Sequence, residues 1–335
     1  MPQLNKTSPG SNPAGKASGS KAVARGRKGR WTAFIIASVV VVLILIIVGV
    51  FYYFSEDARY NRRTTITVDD TSINMDYFVR RAWLAGADPF EMLEALTNEL
   101  LIRIAAPQYV DEVSPEDIDQ ELRRIARGES ETISESEFKE WYRQLLNEID
   151  LSDSEYREYV ATGLLANRLH EYLAERVPTV AEQVHLHAIL LETYEDAEEI
   201  RARWEAGEDF ADLAREVSVD EQSGEKGGDL GWLPRGVLVP GFDQVVFSLT
   251  IGEVSEPRAY VSDPTSTEIF YYLLMVSERA DAREVDEDSL QILKAGVLED
   301  WLLAEIKLHE VDWRGLKNGF DDYTYRWIQL ELAKE

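Results

Sequence analysis

The sequence predicts an α+β protein carried on one apolar helix: a helical region, a compact mixed segment inserted into it, and a closing helical stretch. Three patterns predict this. Residues 33–54 run for 22 positions without a charge. Residues 75–177 and 289–310 place apolar side chains at helical spacing behind recognisable helix starts. Between them, residues 184–276 alternate β-type runs with short helical patterns and a glycine-rich stretch.

Residues 1–30 are rich in Ser, Gly, Pro, Lys and Ala, cannot bury a core, and are expected to be disordered. They hold seven cations (Lys6, Lys16, Lys21, Arg25, Arg27, Lys28 and Arg30), and no acid precedes Glu56. As a helix, residues 33–54 reach about 33 Å, close to the roughly 30 Å of a bilayer's hydrocarbon. Trp31 at one end and Phe51 to Phe54 at the other fit interfacial aromatic belts. A cleaved signal peptide has a shorter apolar core and a small-x-small cleavage site, which residues 53–57 lack. The expectation is a single transmembrane helix over 31–54 with the lipid bilayer as partner. Cations before it and acids after it place the N-terminus in the cytoplasm and the body outside.

Beyond the tail, 28 cations face all 62 acids, a net charge of −34. Such a body repels nucleic acid and anionic head groups, so nucleic acid is not an expected partner. The absence of cysteine excludes a disulfide scaffold, a thiolate zinc site and a Cys nucleophile.

Residues 64–181 read as a helical domain. Residues 64–68 form a short strand, followed by a turn at Asp69-Asp70-Thr71, and the pattern becomes helical from Asn74. Ser114 before Pro115 caps one helix, and Ser134 with Glu137 and Ser152 with Glu155 are capping boxes. Val177-Pro178 closes the region. Residues 182–279 read as a mixed domain, with β-type runs at 184–191, 254–261 and 269–276 and helices at 195–206 and 209–217. Residues 286–335 are helical again, with Ile292, Leu293, Leu298, Trp301, Leu302 and Ile306 inward, and are expected to pack back on the first helical region. Residues 313–335 read as a docking helix or a partner-binding tail.

A long motif sits inside the mixed domain. It runs Gly227-Gly228-Asp229-Leu230-Gly231-Trp232, then Arg235-Gly236, Val239-Pro240, Phe242 and Phe247, then Gly252-Glu253-Val254-Ser255. Upstream lie residues 207–214 and Ser218-Val219-Asp220. In order and spacing this resembles the parvulin-type (PpiC-like) prolyl isomerases. The flanking helices resemble the chaperone module of PrsA-like and SurA-like secretion foldases. The resemblance implies a small antiparallel sheet flanked by helices, a SurA-like helical chaperone region, and a foldase acting on unfolded or partly folded exported polypeptides at X–Pro segments. It implies no metal and no organic cofactor.

By that resemblance Leu238, Phe242 and Phe247 bind substrate, and Asp220 and Tyr272 are the catalytic side chains. Active members of the family carry a His just before an Ile-Leu-Val-like triplet. Here the triplet is Ile189-Leu190-Leu191, preceded by Ala188. The second family His falls where this chain has Tyr272, and the acidic position after the second helix is filled by Asp220 or Glu221. Two readings follow: a working isomerase, or a holdase whose parvulin domain only binds peptide. His185 and His187 alternate away from the face of Ala188 and read as solvent-facing or salt-bridged side chains rather than metal ligands.

Overall fold

The computed structural model describes residues 39, 41–51, 61–261, 268–314 and 322–333. The chain divides into two compact units, residues 1–63 and 64–335. The expected tail and most of the expected span lie outside the described residues. Within the span, helix α1 is described at residues 41–51, where apolar side chains such as Leu45 and Phe51 are exposed. Among the described residues no helix is long and apolar enough to cross a membrane.

The second unit opens with a hairpin, β1 (Thr64–Val68) and β2 (Thr71–Asn74), turning at Asp69 in the left-handed region. The helical pattern therefore starts one residue after a strand that the sequence reading did not anticipate. Five helices follow: α2 (Met75–Ala85), α3 (Pro89–Ala105), α4 (Pro115–Arg127), α5 (Glu135–Glu148) and α6 (Asp153–Ala174). The last four begin with capping boxes, at Asp88, Ser114, Ser134 and Ser152, each satisfying two otherwise unpaired backbone N–H groups.

Ile66, Val68 and Ile73 of the hairpin bury against Phe78 of α2 and Leu93, Leu96 and Leu100 of α3. Each such side chain contributes about 1.5–3 kcal/mol by leaving water. Arg81, nearly fully buried, joins three helices: it pairs with Glu99 at 2.6 Å, donates to the Tyr77 hydroxyl, and lies over the Tyr159 ring.

The mixed domain is built on a four-stranded antiparallel sheet in the order β4-β3-β6-β5. Its strands are β3 (Val180–Leu191), β4 (Asp229–Pro234), β5 (Arg258–Tyr260) and β6 (Phe270–Glu284). On one face Ile189, Leu191 and Leu273 are covered by α7 (Tyr194–Glu205) and α8 (Phe210–Val217). On the other, Val184, Leu186, Ala188, Leu274 and Val276 are covered by Val246 and Phe247 of α10 (Pro240–Ser248). A single turn, α9 (Glu221–Gly224), precedes β4.

Helix α11 (Glu287–Glu305) packs on α6 and α3, bringing Leu298, Trp301 and Leu302 against Ile102, Leu165 and Leu169. Strand β7 (Val311–Trp313) then pairs with β1, so the two ends of the unit share one small sheet. Trp313, expected in a docking helix or a partner-binding tail, sits in this strand and donates to the Thr97 hydroxyl. Helix α12 (Asp322–Leu332) docks on α2 and α3 through the fully buried Ile328.

The closure carries a titratable clasp. His309 contacts Asp69 at 2.6 Å through Nδ1 and Glu305 at 3.1 Å through Nε2. The hydrogen bond to Asp69 is the main reason the imidazole pKa lies above its ordinary 6.5, and the same bond is the main reason the Asp69 pKa lies below 3.8. The clasp therefore stabilises fully between these two values. It is lost as pH rises through the elevated His309 pKa, and again as pH falls through the depressed Asp69 pKa. Thermal denaturation followed by circular dichroism should show Tm falling as pH is raised above roughly 6.5. His309→Ala should remove that slope and lower Tm at pH 6; an unchanged slope would locate the titrating group elsewhere.

Candidate functional site

The candidate site lies on the α10 face of the four-stranded sheet, and a close backbone crossing builds it. The Ala188 N–H donates to the Gly228 carbonyl at 2.8 Å, and the Gly228 N–H donates to the Ser223 carbonyl at 2.7 Å. A Cβ on Gly228 would sit 2.5 Å from the Ala188 carbonyl oxygen, and one on Gly227 would sit 2.6 Å from the Ala211 Cβ. Both glycines have positive φ, +77° and +73°, so glycine is required twice over. The Val219 N–H donates to the Leu190 carbonyl, which holds the segment leading to Asp220 against β3. Asp220 caps α9, accepting from the Gln222 N–H and the Ser223 hydroxyl.

Helix α10 is held at both ends. Pro240 occupies its first turn, and the buried Asp243 accepts from the Gly236 N–H at 2.8 Å, folding the preceding loop back. At the other end Arg279 donates to the Phe247 and Leu249 carbonyls and pairs with Glu182 at 2.8 Å. This presents Leu238 and Phe242 half-buried beside Tyr272 of β6.

The Phe242 and Tyr272 rings meet edge to face at 5.6 Å. Tyr260 of β5 completes a triangle, 5.3 Å from Tyr272 and 6.3 Å from Phe242. Burial raises the Tyr272 pKa above 10, and neighbouring Tyr260 and Asp220 raise it further. The phenol thus stays protonated and can donate a hydrogen bond. Ala188 contributes only a methyl to the same cluster.

The structure therefore gathers Leu238, Phe242 and Tyr272 in one cluster, while the described hydrogen bonds of Asp220 are to Gln222 and Ser223. Phe247 belongs to the same cluster but is 8% exposed, with the Arg235 guanidinium 4.0 Å from its ring centroid. It supports the surface from beneath. Tyr260 is the member that sequence reasoning missed. It is the one aromatic in the run 254–261, but its place beside Tyr272 depends on how β5 pairs with β6.

The opposite face of β3 carries His185 and His187, as strand alternation predicts. His185 Nε2 contacts Asp229 Oδ1 at 2.8 Å, and His187 Nε2 contacts the Ser277 hydroxyl at 3.0 Å. In the helical body a separate open cleft of about 690 Å³ runs between α3, α6 and α11, lined by Leu298, Leu302, Leu303, Ile306 and Trp313 among others.

Residues 188–277 match the Rotamase family, described as the PPIC-type PPIASE domain. The chain is similar to the Foldase protein PrsA of Halalkalibacterium halodurans, 30% identical over 211 residues covering 59% of this chain and 61% of the relative. It is similar to that of Oceanobacillus iheyensis, 36% identical over 169 residues, 48% of this chain and 54% of the relative. The chain thus spans less than two thirds of these relatives' length. The Chaperone SurA of Methylococcus capsulatus is 39% identical over 88 residues, 26% of this chain and 18% of that protein. A crystal structure of Peptidylprolyl Isomerase (PrsA) from Bacillus anthracis aligns with a TM-score of 0.35 and 21% identity, covering 72% of this chain and 96% of that one.

The crossing at Gly228 makes a definite demand. Gly228→Ala adds a left-handed backbone cost of about 1–2 kcal/mol and an overpacking cost of about 1–3 kcal/mol. Urea denaturation should show a loss of at least about 2 kcal/mol. A loss within error of zero would mean the two segments separate freely.

Proposed function

We infer that this protein is a membrane-tethered foldase working outside the cytoplasm; what supports the reading is the match of residues 188–277 to the PPIC-type PPIASE domain and the similarity to PrsA and SurA proteins. Its proposed reaction is cis–trans isomerisation of X–Pro bonds in exported polypeptides. The observation that carries this reading is the half-buried apolar surface of Leu238, Phe242, Tyr260 and Tyr272.

Rotation about an X–Pro bond is slow because amide resonance must be broken, at a barrier near 20 kcal/mol. As the amide twists, electron density returns from the carbonyl to nitrogen. A site accelerates the step by favouring the twisted amide over the planar one. Leu238 and Phe242 would hold the pyrrolidine ring and exclude water from the bond. The protonated Tyr272 hydroxyl would donate to the amide as charge shifts, with Asp220 keeping the local field negative. No bond is cleaved, so a few kcal/mol of differential binding gives about a hundredfold.

A second reading has its own support. By the family resemblance, Ala188 and Tyr272 fall at positions expected to hold histidines, and the helical body has a cleft rimmed by exposed apolar side chains such as Leu303. On that reading the protein shields clients without turning prolines over.

The anchor part of the proposal rests on the uncharged run 33–54 and the cations before it. With no native cysteine in the chain, Ser20→Cys should resist a membrane-impermeant maleimide in intact cells, and Ser130→Cys should react. Labelling of both, or of Ser20→Cys alone, would overturn the topology. For the chemistry, NMR exchange on X–Pro peptides should show acceleration that Leu238→Ala or Phe242→Ala lowers about tenfold or more, and Tyr272→Phe about tenfold. The rate should be flat between about pH 6 and 9, because Tyr272 stands at a position where the family resemblance expects a histidine and its phenol titrates above 10. Peptide binding without acceleration would establish the shielding role instead.

A further inference from the structure

His185 and His187 lie on the face of β3 whose later residues, Ile189 and Leu191, are covered by helices, yet they themselves are only half-buried. Their ring centroids are 5.1 Å apart. Asp229 enters from β4 directly opposite His187 in the strand register. Its carboxylate is fixed in place by accepting from the Gly231 N–H at 2.7 Å as well as meeting His185. Each of the three side chains can offer one donor atom such that all three donors lie within 4.8 Å of one another. From this cradle we propose a binding site for a divalent transition-metal ion of the zinc type, held by His185, His187 and Asp229.

Three features favour an ion over a simple hydrogen-bonded cluster. First, both imidazoles keep a buried Nδ1 without a hydrogen-bond partner. A buried polar atom left so costs about 1–3 kcal/mol, and a ligand that reorganises the ring contacts recovers it. Second, the donor set suits the metal. Two imidazoles two residues apart on one strand, with a carboxylate from the next, give three protein ligands and leave a fourth position for water or a client donor. Metal–nitrogen distances of about 2.0–2.1 Å place tetrahedral donors about 3.3 Å apart. The present spacing therefore asks for closure of at most about 1.5 Å, within the torsional reach of half-exposed side chains.

Third, an outer layer already orients the ligands. The His185 ring stacks on Trp232 at 5.3 Å and 19°, and Trp232 is capped by the Arg283 guanidinium at 4.5 Å. Glu278 lies 3.7 Å from His185 Nδ1, and Ser277 touches His187. Metal-bound histidines characteristically give their second nitrogen to such a carboxylate or hydroxyl. The strongly acidic body also raises the local concentration of cations.

An ion here would pin β4 to β3 on the side of the sheet opposite Ala188. It would add stability by mass action without entering the apolar surface. The inference does not depend on prolyl isomerisation.

The test uses the full chain, tag-free, in detergent and stripped with chelator. Cobalt(II) serves as a spectroscopic probe and zinc as competitor and titrant in calorimetry. The expected result is one cobalt per chain with visible ligand-field bands that zinc abolishes, and a Tm that zinc raises. His185→Ala and His187→Ala should each weaken zinc binding at least about tenfold and cancel the Tm rise. His170→Ala and His309→Ala should bind as the parent does. Asp229→Asn, whose amide oxygen still accepts from Gly231, should weaken binding while keeping the apo circular dichroism spectrum, which covers the case of an unfolded His variant. Absence of bands and of a Tm shift at large metal excess would overturn the proposal. So would binding that survives the His185→Ala/His187→Ala double change.

Discussion

Strand β3 pairs with β6 from Val180 opposite Glu284 to Leu191 opposite Tyr271, and almost everything else in the second unit hangs on that ladder. Because side chains alternate across a strand, one pairing creates two different faces. Helices α7 and α8 close one and α10 closes the other. The same ladder runs past the sheet's core toward the helical body, where the buried Gln183 amide donates to the Arg283 and Glu284 carbonyls. Helix α6 ends shortly before β3 starts, and α11 begins shortly after β6 ends. A paired exit and return therefore delivers α11 back onto α6.

The apolar surface is placed by backbone contacts more than by its own side chains. Gly228 lets β4 approach β3 more closely than any side chain would allow, and Asp243 and Arg279 hold the two ends of α10. Leu238 and Phe242 lie in the segment fixed by these contacts. A ligand meeting this surface would find it already ordered, which is what preorganisation means.

The chemistry of that surface is unusual in its polar members. The cluster holds a methyl at Ala188 and a phenol at Tyr272, and the imidazoles of β3 belong to the reverse face. Acid–base behaviour near neutral pH is thereby moved out of the apolar surface. Among the described residues, a raised imidazole pKa is found at the His309 clasp that fastens the C-terminal strand to the first hairpin.

What the sequence could determine by itself was local or densely encoded. The helix starts at Ser114, Ser134 and Ser152 were legible because a cap and its partner are three residues apart. The stretch from Gly227 to Phe247 was legible because positive-φ glycines, a helix-starting proline and buried aromatics leave few other residues possible. The hidden features all depend on pairing across long separations. Strands β2 and β7 are four and three residues long, too short to show a period, and β7 pairs with a strand some 240 residues earlier. Tyr260 joins Tyr272 only through the register of β5 on β6, and Asp229 meets His185 and His187 only through the register of β4 on β3. Composition and spacing carry the propensity of each segment. Which side chains meet is decided by register, and register is settled only when the whole sheet buries its two faces at once.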